Sequence, residues 1–587
     1  MKAAKRARVA KSGAAAAVAV APRIAPASRP KPWVWALGLF LALFVTFKVY
    51  GPSIGAPFLF DDRYLPFMVP GFGQQPLIVW LRGVRPFLML TFWANYQLSG
   101  DNPYTYHVVN VLIHFANAVL AGLIVRKLLS WRNVDRAKST MLALFAGALF
   151  LLHPLQTESV AYVASRSDNL SCFLLNAAFA VFLYRRKTEA TWLTSASVLA
   201  LFGLAALTKE HSVALPAVLL LADYFWNPGF SLSGIRRNWR LYAPMAAGGA
   251  VGLALVWRVL KAANTAGFGL KDLPWYQYFF TQCRAIWVYL RLFVLPYGQS
   301  PDHDFAISRG ILDHGAIFGL AGLVALAVAA WIYRRRYPLA SFGFFAFLIL
   351  LAPTSSFVPI RDVLVERRTY LAFLGLLLIA MEFVSRWNVP RSTLMAALGC
   401  ILAACAVLTY QRNQVWSSAI ALWQDTSEKS PHKARPRFQL AFAYYEAQQC
   451  AEASGEYAKA AQLEKPAFDL YMDWALAANC AGKLNEALDK FQRAAALERS
   501  AHVYAEIGMV YGEMGKRTEA LNALDEAQRL NPSFGMTYFY RGNLLMETRE
   551  FDKASAEYQH TLTLDPNNQQ ARDALANAAR AAAQMNR

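Results

Sequence analysis

This sequence is short of acids and of cysteines, and it keeps charge out of its long apolar runs. Its 38 Asp and Glu stand against 59 Lys and Arg, a net charge of +21, and charged residues make up only 17% of 587. Six cysteines are too few for a disulfide framework in a chain of this size. Cys172, Cys283, Cys400 and Cys405 sit in or near apolar stretches and read as packing residues. Cys450 and Cys480 fall in the polar C-terminal part, where a bridge and two free thiols are equally compatible with the sequence. No clean small-x-small cleavage site follows the first apolar stretch, 33–50, which is also long for a signal-peptide core, so it reads as a retained signal anchor. An excess of base suggests nucleic acid. Here the basic residues gather in short clusters between apolar runs, which is the positive-inside pattern of membrane proteins, and nucleic acid is not an expected partner.

What is present points to a membrane body. The chain is 56% hydrophobic and 14% aromatic, where soluble domains run near 45–50% apolar. A helix needs about 20 apolar residues to cross a bilayer. Candidate spans lie near 33–51, 104–125, 139–153, 169–184, 191–207, 212–226, 241–260, 314–333, 339–353, 370–385 and 392–410. The stretch 276–295 carries Arg284 and Arg291, costly in hydrocarbon, and is expected as a re-entrant or surface helix. Counting it as a span would put Arg334, Arg335 and Arg336 on the wrong side. About eleven spans follow, with a basic N-terminal tail (1–32) inside and the C-terminus outside.

After residue 410 the composition turns polar. Ala441, Ala475, Gly508 and Gly542 recur at about 34 residues, each followed after twelve by Ala453, Ala487, Ala520 and Ala554. A third set, Ala460, Ala494 and Ala527, follows by seven more, with Thr561 in the last unit. This is the tetratricopeptide pattern, in which paired helices touch where side chains are small. The expected fold is therefore all-α: a polytopic membrane domain over 33–410, a connecting segment over 411–432, and a repeat solenoid of about four units plus a capping helix over 433–587.

The topology gathers charged residues on the outer side. The first external loop opens with 58–63, Phe-Leu-Phe-Asp-Asp-Arg, and so with the acids Asp61 and Asp62. Further on come Arg85, His107, His153, Glu158, Arg166, Asp168, Lys209, Glu210, His211, Asp302, His303, Asp304, Arg361, Asp362, Glu366, Arg367 and Arg368. Ionisable residues at membrane depth pair with one another or line a cavity. Such a set suits transfer of a group from an anionic lipid carrier. Cations hold and stabilise a leaving phosphate, and a carboxylate takes the proton of an acceptor hydroxyl. Adjacent acids also suit a divalent cation, Mg or Mn, for which Asp61, Asp62 and Asp302 are the candidate ligands.

These stretches carry a resemblance. Residues 58–62, Arg85-Pro86 with 90–92, and 102–104 with His107, Val109 and Asn110 belong to it, as do 152–154 with Thr157-Glu158 and 160–162 with 166–168. Lys209-Glu210 with Pro216 and Asp223, Glu366-Arg367 with Tyr370, and Arg412-Asn413 with Trp416 and Leu422-Trp423 complete it. The chain resembles the transmembrane-and-tetratricopeptide O-mannosyltransferases (TMTC) and their bacterial relatives, within the GT-C superfamily. The resemblance implies an inverting transfer of a monosaccharide from a polyprenyl- or dolichyl-phosphate carrier to Ser or Thr of exported proteins, with the repeats binding the acceptor. It implies Asp61 or Asp62 as the general base. Lys209, Arg166 and Arg367 are the leading donor-phosphate ligands, with Arg85 and His153 behind them and Glu158, Asp168, Glu210 and Glu366 in support. A bacterial inner membrane with periplasmic repeats is expected, or an endoplasmic-reticulum membrane with lumenal repeats. The competing expectations are a non-enzymatic repeat scaffold for envelope or pilus assembly and, last, a lipid flippase, for which no inverted repeat is visible.

Overall fold

The computed structural model describes residues 32–185, 187–262 and 266–585, and the expected basic tail lies, but for Pro32, outside them. Among the described residues the fold is all-helical, with one isolated bridge between Ala266 and Ile360 in place of any sheet. The chain divides into two units, Met1–Val45 and Thr46–Arg587. The described part of the first is the start of the helix Pro32–Ile54, whose Trp33, Leu37 and Phe40 are exposed. That is the surface a lipid-facing segment presents.

In the second unit every other expected span coincides with a helix, but the helices are not equally long. Counting the first, six are long and apolar enough to cross a membrane: Pro32–Ile54, Pro103–Trp131, Val163–Tyr184, Asp313–Arg335, Glu366–Arg386 and Arg391–Val415. A seventh is made if Arg136–Leu152 and Pro154–Ala161, bent by 51° at His153, count as one. Trp192–Ala206 and Pro338–Leu351 are apolar but shorter. A 15-residue helix reaches only about 22 Å, short of a hydrocarbon core of about 30 Å; among the described residues six or seven of the eleven expected spans meet length and composition by themselves. The 276–295 stretch is one unbroken helix, Trp275–Val294. It buries Tyr278, Ile286, Tyr289 and Leu292, while Arg284 turns outward to donate to the Ala306 carbonyl at 2.9 Å.

Small residues bring the long helices together. A Cβ on Gly122 would stand 2.9 Å from the Ala143 carbonyl oxygen, and one on Gly147 2.9 Å from that of Ala118. Gly343 and Gly375 make the same reciprocal approach between Pro338–Leu351 and Thr369–Arg386. Packing of this kind replaces the hydrophobic effect where the solvent is lipid. Polar side chains inside the bundle satisfy each other. His114 Nδ1 lies 2.7 Å from the Tyr370 hydroxyl, which donates to Asn169 Oδ1 at 2.8 Å, while Asn117 Nδ2 donates to the Asn169 carbonyl at 2.9 Å.

The repeat helices pair in sequence from Ala434–Glu446 and Cys450–Leu463 to Gly535–Glu547 and Phe551–Leu564, followed by Gln569–Met585. The small residues that set the 34-residue period are its contact points. Ala441, Ala475, Ala453, Ala487, Ala520, Ala554, Ala460, Ala494, Ala527 and Thr561 are all fully buried. A Cβ on Gly542 would meet Tyr558 at 2.6 Å. Cys450 and Cys480 are joined as a disulfide across the first two units. The connecting segment is itself helical (Ala419–Lys429), and the helix before it continues to Val415.

Candidate functional site

The Phe58–Arg63 stretch is a tight 3-10 turn (Phe60–Tyr64) that sends its two acids opposite ways. Phe60 sits at φ 55°, a conformation uncommon for a bulky residue. It is held there by Tyr162 and Trp423, at centroid distances of 5.6 and 5.3 Å. Asp62 turns inward and is fully buried. Its Oδ2 accepts from the Leu59 and Val163 amides at 3.2 and 3.3 Å, and its Oδ1 from the Ala164 amide at 2.6 Å. Burial pushes the Asp62 carboxyl up to about 7, against the pull of those amides. Three donors leave it little capacity for other chemistry; its work is to pin the first loop to the turn that starts the Arg166–Tyr184 helix. Asp61 is exposed and lies within electrostatic range of the Tyr162 hydroxyl.

Tyr162 leads to the cations. The Arg367 guanidinium lies over its ring at 5.5 Å and donates to Glu158 Oε1 at 2.5 Å. The Arg367 backbone amide donates to Glu158 Oε2 at 3.1 Å. Lys209 Nζ meets Asp168 Oδ2 at 2.6 Å, with His211 Nδ1 on the other oxygen at 3.7 Å. Arg85 grips Glu210 with two parallel bonds of 2.9 and 2.8 Å. The pairs share a field, since Asp168 acts on Lys209, Arg367 and Arg85.

In the two inner pairs the acid is the hidden partner. The side chains of Glu158 and Asp168 are 2% and 4% exposed, while those of Arg367 and Lys209 keep 20% and 17%. A buried carboxylate thus fixes each cation and leaves N–H donors toward the open side. Burial holds the Lys209 amine below its usual range, with Asp168 opposing. For Arg85 and Glu210 burial disfavours both charges, but their mutual bonds outweigh it, raising Arg85 and lowering Glu210. Partly exposed cations pinned from behind suit an anionic group.

Other expected ligands are engaged elsewhere. Arg166 is fully buried. It donates to Asn110 Oδ1 at 2.8 Å, Asn95 Oδ1 at 2.9 Å and the Tyr106 carbonyl at 3.0 Å, with Phe92 below it at 4.5 Å. This is an internal staple rather than a face toward a ligand. His153 uses both ring nitrogens, at the Phe293 carbonyl (3.0 Å) and the Leu155 amide (3.2 Å). Glu366 accepts from Gln299 Nε2, the Ser300 amide and His303 Nε2 at 2.7–2.9 Å, fixing the 299–303 loop. Asp302 pairs with Lys433 and with Arg435 Nε at 2.6 Å, and so clamps the first repeat helix to the membrane body. Asp61, Asp62 and Asp302 therefore do not converge, and among the described residues no three His, Cys, Asp or Glu side chains form a metal-holding group. The residue that sequence reasoning left out of the site is Tyr162. Its only signal was the Val160-Ala161-Tyr162 stretch beside Arg166.

A tetratricopeptide-repeat family model matches residues 501–534. The mouse protein O-mannosyl-transferase TMTC3 is 21% identical over 546 residues, covering 83% of this chain and 58% of the mouse protein. The Caenorhabditis elegans protein O-mannosyl-transferase F38B6.6 is 22% identical over 68% of this chain and 59% of its own length. The Drosophila melanogaster protein O-mannosyl-transferase Tmtc1 is 34% identical over 145 residues, which are 22% of this chain and 16% of the fly protein. Among solved structures, a crystal structure of MamA aligns with 26% of this chain and 89% of its own, at 21% identity and a TM-score of 0.23. The chain spans less than two thirds of the length of the O-mannosyl-transferases it matches. It is a TMTC-like tetratricopeptide-repeat protein of the membrane, similar over most of its length to proteins named as O-mannosyl-transferases.

Proposed function

We propose that the chain is a membrane glycosyltransferase that moves a monosaccharide, mannose by analogy with the relatives' names, from a polyprenyl-phosphate carrier to Ser or Thr of an exported protein. The observation that carries this reading is one exposed carboxylate, Asp61, linked through Tyr162 to the partly exposed, acid-pinned Arg367, with Lys209 pinned by Asp168 in the same field. Asp61 takes the proton of the acceptor hydroxyl. The hydroxyl oxygen attacks the anomeric carbon from the face opposite the phosphate, the carbon–phosphate oxygen bond breaks, and its electron pair stays on the phosphate. Lys209 and Arg367, with Arg85 at the rim, stabilise the charge as it develops there. The product bears the inverted configuration.

In this reading the N-terminus is cytoplasmic and the repeats lie outside, in the periplasm of a bacterial inner membrane. The Cys450–Cys480 disulfide supports an oxidising compartment for the repeats. The deciding experiment compares intact masses of exported proteins from cells carrying the wild-type chain, Asp61→Asn, or no copy. Hexose-sized additions present only with the wild type support the reading. Additions undiminished in Asp61→Asn would overturn it and favour a scaffold.

A further inference from the structure

The inner helices of the repeats form a surface unlike the rest of the molecule. Asp473, Glu506 and Tyr540 occupy one position of successive units; Glu446, Glu513 and Glu547 occupy another, in the first, third and fourth units, where the second has Cys480. They face each other. Tyr445 feels both Glu506 and Asp473, and Tyr540, whose hydroxyl donates to Glu506 Oε1 at 3.1 Å, feels Glu513 and Tyr445. Among the described residues Asp469, Asp473, Glu513 and Glu547 enter no ion pair, and Glu506 meets only His502, at 3.7 Å. Most acids on the outer repeat helices are paired: Glu456 with Arg437 and Lys459, Asp489 with Lys490 and Arg493, Glu526 with Arg499 and Arg529.

Two further observations point to an occupant. The Tyr457 side chain is fully buried and its hydroxyl has no hydrogen-bond partner, yet it stands within electrostatic reach of Asp473, Tyr445 and Glu446. At the other end a cavity of about 470 Å³ is lined by Glu513, Glu547, Tyr540, Asn543, Met509 and Asn577. Burial holds Asp473 up at about 6 and Glu506 at about 7. Carboxylates enclosed without a cation pay a desolvation penalty that a bound cation removes. Tyrosine and methionine add apolar, adaptable contact for alkyl stems.

We propose that this groove holds an extended peptide segment bearing Lys or Arg, its charged heads on the unpaired acids and its stems on Tyr445, Tyr540 and Met509. That the segment belongs to the acceptor protein rests on the transferase reading above; the groove's preference for base does not. The groove opens beside the catalytic loop, because Glu446 at the end of its first helix pairs with Arg63, two residues from Asp61, at 2.5 Å.

The test uses the full chain in nanodiscs without any lipid-linked donor. Three labelled 12-residue peptides share a Ser/Thr/Gly frame and carry four Lys, four Gln or four Glu. Fluorescence anisotropy is read for the wild type, for Glu513→Gln/Glu547→Gln on the exposed rim, for Asp473→Asn/Glu506→Gln deeper in, and for Glu519→Gln on an outer helix. The Lys peptide is expected to bind the wild type and Glu519→Gln alike, and each groove variant at least about tenfold more weakly. The preference should shrink as salt rises from about 0.05 to 0.5 M. Equal affinity for all three peptides, or full Lys-peptide affinity in the rim variant, would overturn the proposal. Asp61→Asn is expected to bind the Lys peptide normally. If it does while the wild type transfers no sugar, the transferase reading falls and the groove assignment stands.

Discussion

The membrane body and the repeat domain treat charge in opposite ways. Residues 1–432 carry 41 Lys and Arg against 18 Asp and Glu, whereas 433–587 carry 18 against 20. In the body the acids that are buried are held: Glu158 by Arg367, Asp168 by Lys209, Glu382 by Arg132 and Arg386, Asp223 by Arg185, and Asp62 by three backbone amides. In the repeats acids are plentiful, and on the inner face Asp469, Asp473, Glu513 and Glu547 enter no ion pair among the described residues. A carboxylate enclosed in the body needs a cation or several N–H donors, because the penalty for an isolated charge there is several kcal/mol. The repeat groove keeps such acids without a cation of the chain's own, so a ligand's cation can relieve them. Asp61 stands where the two regions meet. It is exposed, while its neighbour Asp62 is buried.

That contrast can be broken at definite places. The largest effect is expected at Asp61. Asp61→Asn should lower transfer by roughly 10²–10⁴-fold, the usual range for loss of a general base, with thermal stability unchanged. Asp62→Ala should do the reverse in order of cause. It strands the Leu59, Val163 and Ala164 amides, at about 1–3 kcal/mol for each buried unmet donor. The protein should therefore melt earlier in detergent before any kinetic defect is interpretable. Next, Arg367→Lys keeps the charge but loses the guanidinium bond to Glu158 and the planar contact with Tyr162. Transfer at saturating acceptor should drop about 10–100-fold, with a raised KM for the lipid donor.

A smaller effect is expected at the clamp between the regions. Lys433 and Arg435 hold the Asp302 carboxyl below its usual range, outweighing the effect of burial. Its contribution is present above the ordinary carboxylate range and is lost only as pH falls through the depressed value. Cleavage by a protease between 416 and 433 should therefore stay slow at neutral pH and accelerate below about pH 4. Arg435→Ala should show the acceleration already at pH 7. The smallest effect belongs to Arg63→Gln at the half-exposed pair with Glu446, about 0–1 kcal/mol, read as a shift in melting temperature of at most a few degrees.

The repeat half was readable in the sequence because its rule is local and periodic. A small residue is required wherever paired helices touch, and each residue of that kind is buried. The body was readable as apolar helices, but hydropathy does not show where a helix stops, at His153 or near Leu207. Of the candidate site, residue types were legible but their surroundings were not. Which of Asp61 and Asp62 is exposed turns on the backbone of Phe60 and on amides at 163 and 164, a hundred residues away. Arg166 and His153 look like ligands in one dimension. They are consumed by carbonyls, amides and asparagines that only tertiary packing brings near.

The clamp at Asp302 has a bearing on selectivity as well as on attachment. Besides Lys433 and Arg435, the Ser430 hydroxyl donates to the Asp302 carbonyl at 2.6 Å and Lys429 Nζ to that of Gln299 at 3.0 Å. Arg435 also reaches Asp362 at 2.9 Å. Bonds to two separate loops of the body leave the first repeat little room to swing. On the proposed transferase reading a fixed first repeat makes the molecule a ruler: the fold would set the number of residues between a docked basic segment and a hydroxyl at Asp61, and lengthening the 430–433 turn should move the modified position along the acceptor.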